Sequence, residues 1–141
     1  MNKYFFFIFF YAIIFGNLAC RTDNTYKNAD YSQLPPEFIR FYETFHADSA
    51  FQYSHISFPM EGHRLIRSEK GDTVETVIWT RSNWDLHKRF DDTNKAFKQE
   101  FIIVGDKAII ETISAVEGLF KIERRYAMLS SGWNLIYYAQ Y

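Results

Sequence analysis

The hydrophobic pattern changes period several times along the chain. Tyr4 to Phe15 is an almost unbroken apolar run behind a single basic residue, Lys3. It is shorter than the roughly 20 residues needed to span a bilayer and suits the apolar core of a secretory signal. Arg21 to Gln33 (RTDNTYKNADYSQ) is polar without an apolar period, and reads as a flexible tether. Pro35 and Pro36 then open a helix, because a proline in the first turn removes an N–H that has no helical partner. Phe38, Phe41, Tyr42 and Phe45 follow at i, i+3, i+4 and i+7, placing four rings on one face. Asp48 and Ser49 end this helix and start a shorter one, with Ser49 and Gln52 spaced as a capping box and Phe51 on its buried side.

From Ile56 the chain turns extended. Pro59 and Gly62 predict a turn, and Lys70-Gly71-Asp72 joins Arg64–Glu69 to the β-branched stretch Thr73–Thr80 as a hairpin. Asn83 is placed to cap a short helix through Trp84, Leu86 and His87, closed by the polar turn Asp91 to Asn94. The last 47 residues predict continuous antiparallel sheet with reversals at Gly105-Asp106, Gly118 and Ser130-Ser131-Gly132. On the third of these strands Phe120, Ile122, Arg124, Tyr126 and Met128 share a face. On the fourth, Trp133, Leu135 and Tyr137 alternate with Asn134, Ile136 and Tyr138.

Composition narrows the classes. The sole cysteine, Cys20, follows Asn17-Leu18-Ala19, so no intrachain disulfide and no cysteine zinc site can form. The segment resembles a bacterial lipoprotein signal, whose cysteine takes the lipid and becomes the first residue; Asn17 stands where that family usually has leucine. The resemblance implies a cell-envelope protein anchored to a membrane through Cys20, facing the periplasm, with the outer membrane preferred. The chain then divides into a signal (1–19), a tether bearing Cys20 (20–34) and one folded domain (35–141). Removal of the signal from the 141 residues leaves 122, with 15 basic against 17 acidic side chains. That balance argues against a nucleic-acid partner, which calls for a basic patch.

Helices followed by meandering strands and a final tryptophan-bearing hairpin resemble the cone fold of nuclear transport factor two, also described as cystatin-like. The likeness is carried by Phe38, Phe41-Tyr42, Phe45 and Gly132-Trp133-Asn134-Leu135-Ile136-Tyr137. The stretch from Phe41 through Asp48, Phe51-Gln52, Ile56 and Phe58-Pro59-Met60-Glu61-Gly62 is similar to an uncharacterised family of small Gram-negative lipoproteins that shares this fold. The resemblance implies an α+β domain, with N-terminal helices packed on a curved antiparallel sheet. It brings no activity, cofactor or catalytic residue.

The chemistry is sparse. His46, His55, His63 and His87 lack the spacing of a helical zinc pair, and no nucleophile elbow or phosphate loop occurs. Arg124 is the most suggestive residue, a charge on an apolar strand face that wants a partner. Glu111 or Glu100 could supply one, and Tyr126 and Tyr137 could add hydroxyls. The commoner placement, and the one favoured, leaves Arg124 at the sheet margin with its head in water. Trp79, Trp84 and Trp133 could line a cleft or fill the core, the commoner use of large aromatics. Three functions fit these residues: a non-catalytic module binding a small apolar ligand or an envelope protein, a small isomerase, dehydratase or hydrolase working inside the cone, and a homodimeric scaffold.

Overall fold

The computed structural model describes residues 25–91 and 93–141. The signal, Cys20 and Asp92 lie outside the described residues. Pro35 and Pro36 start α1 (Pro36–Ala47) as the spacing predicts, and Phe38, Phe41, Tyr42 and Phe45 are all buried. Phe38 packs edge-on against Tyr126 and Trp133, at centroid distances of 5.3 and 5.0 Å, while Phe45 meets Tyr126 at 6.0 Å. The second helix, α2 (Ser49–Ser54), is capped by Asp48, whose carboxylate accepts the Phe51 N–H at 2.9 Å. The expected Ser49–Gln52 box is absent because Gln52 points inward. Its side chain donates to the Phe45 and His87 carbonyls and accepts from the His87 N–H and the Trp84 indole.

Among the described residues, seven strands form one sheet. In chain order they are β1 (Tyr26–Ala29), β2 (Met60–Ile66), β3 (Thr73–Trp79), β4 (Phe97–Val104), β5 (Ala108–Ala115), β6 (Lys121–Leu129) and β7 (Gly132–Gln140). Their spatial order is β1-β4-β5-β6-β7-β2-β3. The sheet is mixed rather than wholly antiparallel, since β2 runs parallel to β7, with Gly62 opposite Tyr138 and His63 opposite Ala139. The direction is set before β2 begins: Ile56, just past α2, already bridges Leu135 of β7 in the parallel sense.

Local competition explains the departures from the sequence pattern. Tyr26–Ala29, expected within the tether, pairs with Phe101–Val104 of β4. The β4–β5 turn has three residues, because Val104 pairs with Ala108, and Gly105 supplies its positive φ of 60°. Residues 83–87 form no helix. The Asn83 side chain accepts the Thr80 N–H at 2.7 Å and donates to the Ile78 carbonyl at 3.1 Å, holding a turn that competes with helical bonding. That turn sends Trp84 inward against Trp79 and Tyr138.

Gly62 lies inside β2, where the chain needs absence of bulk rather than a reversal. A Cβ there would collide with the Tyr138 carbonyl and come within 2.6 Å of the Trp79 indole nitrogen. That nitrogen donates to the same carbonyl at 3.0 Å. Gly62→Ala is therefore expected to lower stability by about 1–3 kcal/mol, as overpacking does. Urea denaturation measures it, and an unchanged midpoint would mean that β2 and β7 separate without penalty.

Candidate functional site

A buried polar cluster occupies the inward face of β4, β5 and β6. Period-two alternation brings Glu111 and Arg124, paired across β5 and β6, to the same side as Tyr126 and Ile109. Glu111 is 1% exposed and Arg124 4%, so Arg124 is inside and not at the margin. Its Nη1 donates to Glu111 Oε2 at 3.1 Å, and its Nε to His87 Nδ1 at 3.2 Å. The Tyr126 hydroxyl also donates to Oε2, at 3.1 Å. Tyr42 from α1 donates to Oε1 at 2.6 Å and Gln99 from β4 at 2.7 Å.

The Glu111 carboxylate thus receives four donors, two at each oxygen, which fills its acceptor sites. Burial alone would raise its pKa. The Arg124 charge and the bonds from Tyr42 and Gln99 outweigh that, holding the carboxyl below its ordinary range. Burial also works against the Arg124 charge, and Glu111 more than restores it. Desolvation, reinforced by Glu111, pushes Tyr42 and Tyr126 well up, so both stay protonated donors. The cluster is a buried ion pair with a ring of donors, and Glu111 has no lone pair left for proton abstraction.

Two histidines border it. His46 donates from Nδ1 to the Tyr42 carbonyl at 2.8 Å, and its buried Nε2 meets no hydrogen-bond partner among the described residues. Burial first, then the Arg124 charge, lowers its pKa from 6.5 to about 4. His87 is held well below 6.5 by burial, with Arg124 and His46 adding to the effect. Unfolding restores ordinary values, so between about pH 4 and 6.5 the unfolded chain binds more protons. Stability is then full above about pH 6.5 and lost as pH falls through this window, with His46 alone accounting for on the order of 2 kcal/mol by pH 5. Urea midpoints at pH 7 and pH 5 check this, and the slope should shrink in His46→Gln. Equal midpoints would count against burial of the neutral imidazoles.

Of the residues singled out from sequence, Glu111, Arg124 and Tyr126 come together. Glu100 does not: it is on the opposite face, exposed and paired with Lys98. Nor does Tyr137. The β6–β7 register slips after Arg125, which faces Tyr137, while Tyr126 faces Leu135 and leaves Ile136 without a partner. This bulge reverses the alternation of β7. Tyr138 takes the inward side, and Tyr137 turns outward to His63, Tyr141 and the guanidinium of Arg125. Trp133 is core, against Phe38. Trp79 walls a separate cleft of about 420 Å³ with Arg64, Trp84 and His87. Tyr42, Gln99 and His87 were missed as site residues. Tyr42 carried a readable sign, being the one hydroxyl among the four rings of the buried helix face.

Two clefts adjoin one another, and the first of them borders the cluster at Arg124. One, of about 320 Å³, is lined by Lys88, Arg89, Phe90 and Asp91 on one side and has Arg124, Ile113 and Ile122 in its wall. The other, of about 620 Å³, is lined by Ala96, Phe97, Ala115, Val116, Leu119 and Phe120, with Arg67, Lys95 and Glu117 at its rim. Phe97 and Phe120 line both and pack edge to face at 6.4 Å.

The model of an uncharacterised family matches residues 36–124. Among solved structures, a cystatin-like protein from Bacteroides caccae is similar with a TM-score of 0.55 at 18% identity, over 72% of this chain and 74% of that one. An NTF2-like protein from Bacteroides fragilis has a TM-score of 0.49 at 16% identity, over 73% of this chain and 46% of that one. No curated protein matches the sequence. At these identities the likeness to the first structure is one of fold.

Proposed function

Because the chain belongs to the uncharacterised family whose model spans residues 36–124, a family without an assigned reaction, we propose that it is a non-catalytic binding module of the cell envelope, anchored through a lipid on Cys20. In this reading α1 and α2 close one side of a curved sheet to make the cone. The observation that carries the non-catalytic part is the saturation of Glu111. A carboxylate that moves a proton inside such a cone needs a free lone pair, and here the buried carboxylate is committed to four donors. The two adjoining clefts are in the size range of small-ligand sites. A binding module should show saturable stabilisation by its ligand without turnover.

Anchoring rests on the apolar run and its small residues before Cys20. Cys20→Ser in the full chain is expected to abolish incorporation of radiolabelled palmitate and to release the protein from the membrane fraction. Retention and labelling at the wild-type level would refute the anchor.

A further inference from the structure

We infer that the two adjoining clefts form one bipartite site for an amphipathic anion, a carboxylate with a medium or long alkyl chain; this rests on the binding-module reading and names its ligand class. The head-group end is the cleft lined by Arg124, Lys88, Arg89 and Phe90. Arg124 uses Nη1 and Nε within the cluster, and among the described residues no acceptor meets its Nη2. That nitrogen is not among the buried atoms cut off from solvent, and Arg124 is part of the wall of this cleft. An unpaired guanidinium edge on a residue 4% exposed is an unfinished recognition element. Lys88, Arg89 and Asp91 line the same opening.

The tail end has the opposite character. The 620 Å³ cleft is floored by aromatic and aliphatic groups, and Val116 and Leu119 are 69% and 75% exposed beside it. Large apolar side chains left in water around a groove mark an unfilled contact surface. Phe97 and Phe120, lining both clefts, place the head-group and apolar ends side by side. A neutral apolar ligand would leave Arg124 Nη2 without an acceptor in a partly dry site, and a small anion would leave the groove empty. One molecule with both halves satisfies both.

The test uses the full lipidated chain in bilayer nanodiscs and a twelve-carbon fatty acid bearing a terminal diazirine. Photolysis should label peptides containing Phe97 or residues 115–120, and excess dodecanoate should suppress that labelling. Dodecanol and dodecyltrimethylammonium should compete about 10- to 100-fold more weakly, the loss expected for one charge-assisted hydrogen bond. Arg124→Lys, which keeps the charge and removes the fork, should weaken labelling about tenfold or more. Since Arg124 also supports the fold, Leu119→Glu at an exposed position carries the test independently and should weaken it by a similar factor. Competition by dodecanol equal to that by dodecanoate overturns the anionic class and leaves the binding-module reading standing. Absence of saturable labelling by the probe and by alcohol and ammonium analogues of it overturns both.

Discussion

Replacing Arg124 with methionine is expected to destabilise the domain by about 3–5 kcal/mol, the loss that follows when one member of a buried ion pair is removed. The reason is what it strands. Glu111 at 1% exposure would lose the guanidinium 3.1 Å away, and must then either hold an uncompensated charge or take up a proton. Tyr42, Gln99 and Tyr126 would still donate to it, but their dipoles do not replace a full positive charge. Glu111→Leu should cost a similar amount by stranding Arg124. The double replacement should recover most of the loss, because an apolar pair of similar volume removes both desolvation penalties. Equilibrium urea unfolding of the four proteins, read as a double-mutant cycle, measures this. Losses that simply add would mean that the two side chains do not depend on one another, and a cost below about 1 kcal/mol for Arg124→Met would return that residue to the margin.

Phe45→Ala is expected to cost about 3–5 kcal/mol, as large-to-small changes do in a close-packed core. Phe45 is fully buried, touching Phe41 at 5.4 Å on its own helix and Tyr126 at 6.0 Å on β6. Removing its ring opens a void between α1 and the strand that carries Tyr126. The matched control is Leu119→Ala, at 75% exposure, which should stay within about 0.5 kcal/mol of wild type. A Phe45→Ala loss below about 1 kcal/mol would mean that α1 is peripheral to the domain.

What could be read from the chain, and what could not, follows from the range of the forces involved. The four rings of α1 and the turn glycines act over a few residues, so the helix and hairpins were visible. β1 was hidden because Tyr26–Lys27–Asn28 are exposed and Ala29 is only half-buried, leaving no alternation to detect. It is held by backbone bonds to a strand far along the chain. Tyr137 was misplaced because a bulge depends on how two strands meet, and one displaced residue reverses every later side chain. Gly62 looked like a turn residue, whereas its constraint is the Tyr138 carbonyl, far along the sequence. Half of the polar cluster was legible, since Glu111, Arg124 and Tyr126 sit at strand positions of matching parity. The contributions of Tyr42, Gln99 and His87 required knowing which elements close over that face.

The pairing of β1 with β4 also sets a leash. Thr25, at its start, accepts the Gly105 N–H, so the chain is fastened at the β4–β5 turn. Only four residues separate Thr25 from Cys20, and five peptide links reach at most about 18 Å. In the proposed anchored state the domain therefore rides close to the bilayer, with the β4–β5 turn nearest and the β5–β6 turn, beside Val116 and Leu119, at the far end of the strands. An amphiphile would have to be handed up to that end or arrive from the aqueous side, and a partner tethered to an opposing membrane would have to supply most of the span itself.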